Sequence, residues 1–146
     1  MSAQGNAKLA NILGLAALPL FLLLGAFLLA AASPAVPEFP EITLTSLAAA
    51  IANHSVVLLD ANGSTSFHTG HIPGAIDYEA AAPHLAALLP ADQDQLIVAY
   101  CANEFCPHYL AAARAAAALG YTNIRHFAPG IAGWRKAGRP TPLLKP

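Results

Sequence analysis

The chain has 146 residues, 56% of them hydrophobic and only 10% charged, with a formal net charge of −1. A balance so close to neutral, with no basic stripe, excludes a nucleic-acid-binding surface, and two cysteines exclude a disulfide scaffold. One apolar block takes up roughly thirty residues at the N-terminus, which leaves about a hundred for a single small domain with one core.

Residues 1–8, ending in Lys8, precede an uncharged run from Leu9 to Ala32. As a helix this run is about 36 Å long, enough to cross a hydrocarbon layer of about 30 Å. Pro19 lies inside it and predicts a kink that a membrane helix tolerates. The small residues Ala30, Ala31 and Ala32 before Ser33-Pro34 also suit a cleaved signal peptide. The run is nevertheless much longer than the roughly 7–15 apolar residues of a signal core, which favours an uncleaved signal anchor. Lys8 precedes the span and no Lys or Arg follows it before Arg114. The excess of positive charge on the cytoplasmic side therefore puts the N-terminus inside and the following domain outside, facing the periplasm if the cell is a bacterium. Residues 33–41, containing SPAVPEFP, are too proline-rich for helix or central strand and predict a semi-rigid linker.

The expected domain runs from residue 42 to 140, with 141–146 as a tail. Thr45 or Ser46 can cap a short helix over 47–52. The unbroken apolar run Val56-Val57-Leu58-Leu59, closed by Asp60, predicts a strand buried on both faces. Residues 63–74 read as loop and about 83–89 as helix. Leu96 to Tyr100 predicts a second buried strand with Cys101 at its carboxyl end. An alanine-rich helix is expected over 107–119, with Pro107 in its first turn and Gly120 as its stop. A third strand over 123–127 and a closing helix over 130–136 complete the chain. Strands alternating with helices give a three-layer α/β domain, a parallel sheet flanked by helices, with ligands at the carboxyl ends of the strands. A helix that starts just after Cys101 favours a thiolate there.

Three segments in this order resemble a rhodanese-like domain: VVLLD with Gly70-His71-Ile72-Pro73-Gly74-Ala75-Ile76; LIVAYC, ending on Cys101; and Gly120-Tyr121-Thr122-Asn123-Ile124 followed by Gly130-Ile131, Trp134 and Ala137-Gly138-Arg139-Pro140. The resemblance implies sulfane-sulfur transfer, with Cys101 as the catalytic nucleophile that becomes a persulfide. It further implies an active loop, here Ala102, Asn103, Glu104, Phe105, Cys106, Pro107 and His108, whose N–H groups cradle the persulfide and an anionic donor. No cofactor is implied. The expected partners are the membrane, a sulfane-sulfur donor where the site is active, and a larger membrane complex, with no nucleic acid.

The loop departs from the family pattern. It has no Arg or Lys, and Glu104 would oppose both a thiolate and an anionic donor. Counted back from Gly120, the loop is about two residues longer than the common form, which sets His108 near the usual arginine position, as a cation when protonated. Without an arginine to hold phosphate, the related phosphatase chemistry is disfavoured. Asn62 and Ser66 stand where the family often has Arg and Glu; losing both charges together is far less costly than losing one. Pro129 replaces a glycine before Gly130, which alters a local turn.

Three readings fit the cysteine pair. Cys106 resolves the Cys101 persulfide or protects it as a reversible disulfide; the two form a structural or redox disulfide without sulfur transfer; or the domain is a catalytically inactive interaction subunit of a membrane complex. The six histidines give no expected metal site, since Cys106 and His108 lack two further ligands nearby. His71 is read as a structural hydrogen-bonding residue, Asp60 as a cap for the loop after its strand, Trp134 and Phe127 as core, and Arg114 as solvent-facing.

Overall fold

The computed structural model describes residues 39–143, and its first helix, α1 (Leu44–Ala52), starts one turn earlier than expected. Thr43, not Thr45 or Ser46, caps it: the Thr43 hydroxyl accepts the Ser46 N–H at 3.1 Å. His54, just past the end, takes a positive φ of 53°, the left-handed conformation that ends helices. β1 (Val56–Asp60) follows. The region expected as loop contains α2 (Ser64–His68), and an unexpected short strand, β2 (Ala75–Asp77), follows directly after that region. The start of α2 has no side-chain cap of its own. The Glu79 carboxylate, fifteen residues on, accepts the Ser64 N–H at 2.6 Å instead, a long-range cap with no local sequence signal. The helix expected near residue 83 begins earlier and is broken in three: α3 (Tyr78–Ala81), a 3-10 turn (Ala82–His84) and α4 (Leu85–Leu88). Pro83 lies in the 3-10 turn, where its missing N–H does no harm. β3 (Leu96–Tyr100), α5 (Tyr109–Ala118), β4 (Ile124–Phe127) and α6 (Gly130–Lys136) complete the order.

The four strands form one parallel sheet in the order β2-β1-β3-β4. Alternate residues of the two central strands face opposite layers. Leu59, Ile97 and Ala99 pack with Leu85, Ala112, Ala113 and Ala116 on one side. Leu58, Val98 and Tyr100 pack with Leu47, Phe127, Ile131 and Trp134 on the other. This is the three-layer α/β architecture that the sequence predicts. The alanine face of α5 lets its backbone approach the sheet closely, and Arg114 points to solvent. Phe127 and Trp134 meet edge to face, their centroids 6.5 Å apart, in the core.

Residues 1–38 and 144–146 lie outside the described residues, and with them the expected cytoplasmic segment, the span 9–32, most of the linker and the end of the tail. Among the described residues no helix is long and apolar enough to cross a membrane.

Candidate functional site

Every strand of a parallel sheet ends at the same edge, so the residues just after β1 and β3 are brought together there. Asp60 and Tyr100 are partners in the register of these two strands. Cys101, one residue further, lies at the mouth of the sheet, buried, with its Sγ 3.8 Å from the carbonyl oxygen of Ala61.

Two elements hold Cys101 in place. The first is β1: the Ala61 N–H donates to the Tyr100 carbonyl at 2.9 Å. The second is the start of α6. The Ile131 and Ala132 N–H groups donate to the Cys101 and Ala102 carbonyls, each at 3.0 Å. This docking requires a glycine at 130. Gly130 has φ +58°, and a Cβ there would stand 2.4 Å from the Cys101 carbonyl oxygen and 2.7 Å from the Ala102 carbonyl carbon and oxygen. The Pro129 substitution stays local, at the N-cap of α6.

Residues 101–108 bring all the predicted loop residues to this mouth. Asn103 organises the turn: its side-chain oxygen accepts the Phe105 N–H at 3.0 Å and its carbonyl accepts the Cys106 N–H at 3.1 Å. Among the described residues, the Ala102, Asn103 and Glu104 N–H groups donate to no protein acceptor. Glu104, Phe105, Pro107 and His108 are exposed, Phe105 to 86%. The expected helix over 107–119 begins only at Tyr109, so Pro107 and His108 belong to the loop.

Cys101 and Cys106 are joined by a disulfide, with Cα atoms 6.0 Å apart. One ring nitrogen of His108 and the two sulfurs lie within 4.8 Å of one another. The structure thus adds Cys101 to the Cys106 and His108 pair that the sequence had judged too poor in ligands. One imidazole nitrogen and two sulfurs converge, but the disulfide engages both sulfurs in this state.

Behind the mouth lies a buried polar pair. The Tyr100 hydroxyl donates to Asp60 Oδ2 at 2.5 Å and accepts the Ile72 N–H at 3.0 Å. The other Asp60 oxygen accepts from the Asn62 N–H at 2.8 Å and the Asn62 side-chain amide at 2.7 Å, so Asp60 caps the turn after β1 as the sequence predicts. Asn62 thereby serves the turn without the charge that an arginine would bring. Burial, with the Asp60 carboxylate beside it, pushes the Tyr100 hydroxyl pKa far above the ordinary tyrosine range. His71 takes its expected structural role: its Nδ1 lies 3.0 Å from the Phe67 carbonyl, and its ring stacks on Phe67.

Sequence reasoning missed His126. It lies on edge strand β4, buried, with its ring stacked on Tyr109 at a centroid distance of 3.4 Å. Its Nε2 has no hydrogen-bond partner among the described residues. Burial pulls its pKa below the ordinary value, against an opposing pull from Glu41. Phe39, Pro40, Glu41, Tyr109 and His126 line an open depression of about 450 Å³. No periodic signal marks this histidine, because its burial comes from residues 40–42 pairing along the edge strand and from the Tyr109 ring stacked on it.

Comparison with known proteins agrees with this frame. The family model described as Rhodanese-like domain matches residues 43–137. No curated protein sequence matches the chain. Among solved structures, a rhodanese-related protein from Thermoplasma volcanium superposes with a TM-score of 0.56 at 22% identity, over 73% of this chain and all of that one. A thiosulfate sulfurtransferase from Pseudomonas aeruginosa gives 0.58 at 21% identity, over 73% of this chain but only 21% of that one. SseA from Escherichia coli, described under 3-mercaptopyruvate sulfotransferases, gives 0.59 at 19% identity, over 75% of this chain and 52% of that one. These likenesses show the fold, and the family match covers most of the chain: the protein belongs to the rhodanese-like domain family.

Proposed function

We propose that the domain carries and transfers sulfane sulfur through a persulfide on Cys101, with its loop in the reduced state. The observation behind this reading is the position of Cys101 at the carboxyl end of β3, beside loop N–H groups that no protein acceptor engages. Such groups lower a thiol's pKa and hold an anion. With thiosulfate as donor, the Cys101 thiolate attacks the outer sulfur, the S–S bond of thiosulfate breaks, and sulfite leaves with the electron pair. Cys101 is left as the persulfide anion. The sulfurtransferases among the structural neighbours are consistent with this chemistry.

The test is cyanolysis by the reduced full chain in mild detergent, with thiosulfate, a polysulfide and 3-mercaptopyruvate as donors and Cys101→Ser as control. Thiocyanate formation above the control is expected, most clearly from the Cys106→Ser chain, in which no second thiol competes with cyanide; equality with the control for every donor in both the wild type and Cys106→Ser would refute the reading.

A second reading is favoured by the closed loop itself. Cys101 is buried in a disulfide, which leaves no free thiol for transfer in this state. In that reading the domain is an inactive interaction module of a membrane complex. Extraction in mild detergent separates the two, since a chain that migrates alone under several conditions counts against the module. In either reading the run 9–32 tethers the chain to the membrane with the domain on the outer side. Loss of the full chain from carbonate-washed membranes would refute that tether.

A further inference from the structure

The Cys101–Cys106 disulfide joins the two Sγ atoms within one loop, with Cα atoms 6.0 Å apart. A persulfide on Cys101 would keep its inner sulfur at that same Sγ position. A reduced Cys106 is therefore positioned to attack it, five residues along the same turn. The attacking thiol must lose a proton and the departing sulfur must gain one. His108 carries the nearest ring nitrogen, within 4.8 Å of both sulfurs, and it is exposed enough to exchange protons with solvent. The loop has no Arg or Lys that would hold a persulfide anion in place.

We infer that Cys106 discharges the Cys101 persulfide internally and releases hydrosulfide, with His108 carrying the proton. The inference rests on the proposed Cys101 persulfide and names its fate. Cys106 Sγ, as thiolate, attacks the inner sulfur of Cys101–S–S⁻. The Cys101–Cys106 disulfide bond forms and the persulfide S–S bond breaks. The outer sulfur leaves with the electron pair and takes the proton that His108 removed from Cys106, so it departs as HS⁻. The sulfane sulfur is reduced by two electrons and the two cysteine thiols are oxidised by one each. The product on the protein is the disulfide seen in the structure. An external dithiol, by two successive exchanges, reduces it and resets the loop. With such a dithiol the protein is a sulfane-sulfur reductase that yields sulfide, and it needs no separate sulfur acceptor.

Attack at this distance is effectively intramolecular, which favours discharge over capture by a dilute external thiol. Removal of the proton carrier should slow discharge by about 100-fold, the lower end of general acid–base contributions.

The full chain in mild detergent is reduced, freed of reductant and mixed anaerobically with one equivalent of thiosulfate or of a polysulfide. Hydrosulfide, free thiols and intact mass are followed in time. The wild type should release close to one hydrosulfide per chain, lose both thiols and end as the disulfide. Cys106→Ser should instead accumulate a species heavier by one sulfur atom and release nothing until an external thiol is added. His108→Gln should load at the wild-type rate and discharge about 100-fold more slowly. A wild type that keeps the added sulfur while both donors load Cys106→Ser overturns the inference and leaves the persulfide reading intact. A Cys106→Ser variant that gains no sulfur from either donor, although folded by circular dichroism, overturns both. Unchanged discharge in His108→Gln removes the histidine from the step.

Discussion

The Tyr100 hydroxyl donates to the Asp60 carboxylate at 2.5 Å, both side chains are buried, and the two residues are register partners at the ends of neighbouring strands. This pair lies one residue before Cys101, at the carboxyl ends of β1 and β3. Tyr100 also accepts the Ile72 N–H from the segment before β2, so one phenol ties three parts of the sheet mouth together.

Tyr100→Phe should therefore destabilise the fold by about 2–4 kcal/mol, since it leaves both a buried carboxylate oxygen and a buried N–H without their partner. It should also change the alkaline limb of stability. The folded pKa of Tyr100 is raised above the unfolded value of about 10. Below that value both states hold the proton, and the stabilisation is fully present. Above it the unfolded state loses the proton and the folded state keeps it, so stability falls by about 1.4 kcal/mol per pH unit from this one group. Urea titrations between pH 9 and 11, read against this unfolded value, should show that extra slope in the wild type and not in Tyr100→Phe.

Strands β1, β3 and β4, the three layers and the place of Cys101 at the end of β3 were legible in the sequence because they rest on strong local signals, whereas the order of the strands in the sheet was not. VVLLD and LIVAY are unbroken apolar runs, and Gly120 marks the end of α5. What was not legible rests on distant partners. α2 depends on the Glu79 carboxylate fifteen residues away, and β2 is three residues long and gains its identity only by pairing with β1. In the site, the residues expected as one loop lie together between β3 and α5. The sequence could not place the His108 nitrogen beside both sulfurs, because the loop geometry set by Asn103 decides that. His126 gave no signal at all, since its burial comes from the segment at residues 40–42 pairing along β4.

Gly130 is the residue through which α6 grips the start of the 101–108 loop. Gly130→Ala meets both a left-handed backbone and the Cys101 and Ala102 carbonyls, and backbone atoms cannot move aside as a flexible side chain can. The variant should lose more than about 1 kcal/mol of stability. It should also lose sulfur uptake out of proportion to the fraction unfolded, because Cys101 shifts with its carbonyl. Chemical denaturation and persulfide loading on the same sample check both parts.

His126 predicts the acid limb. Its folded pKa is lowered by burial, so the unfolded state takes up a proton first as the pH falls below the ordinary histidine value of about 6.5. The unfolded state then binds more protons, and stability drops as the pH is lowered from there through the folded pKa. His126→Phe keeps the stack on Tyr109 and removes an Nε2 with no partner among the described residues. Its stability at pH 7 should equal or exceed that of the wild type, and its decline between pH 6.5 and 5, the window set by that histidine value, should be shallower. A steeper decline in the variant would show that this histidine is not the group being titrated.

Glu104 tests the electrostatics of the mouth. It is exposed in the loop, three residues from Cys101, and the loop offers no Arg or Lys to offset it. Thiosulfate brings two negative charges to this place, whereas a neutral sulfane donor such as an organic trisulfide brings none. Removing a unit charge near the reacting sulfur in a solvated site changes the interaction by about 1 kcal/mol. Glu104→Gln should thus load from thiosulfate about fivefold faster at low salt, with the gain shrinking as ionic strength rises. Loading from the trisulfide should be faster by a smaller factor, because only the thiolate itself then feels the change. Equal acceleration for both donors would assign the effect to the nucleophile alone. An unchanged thiosulfate rate would show that the Glu104 carboxylate points away from the path of the donor.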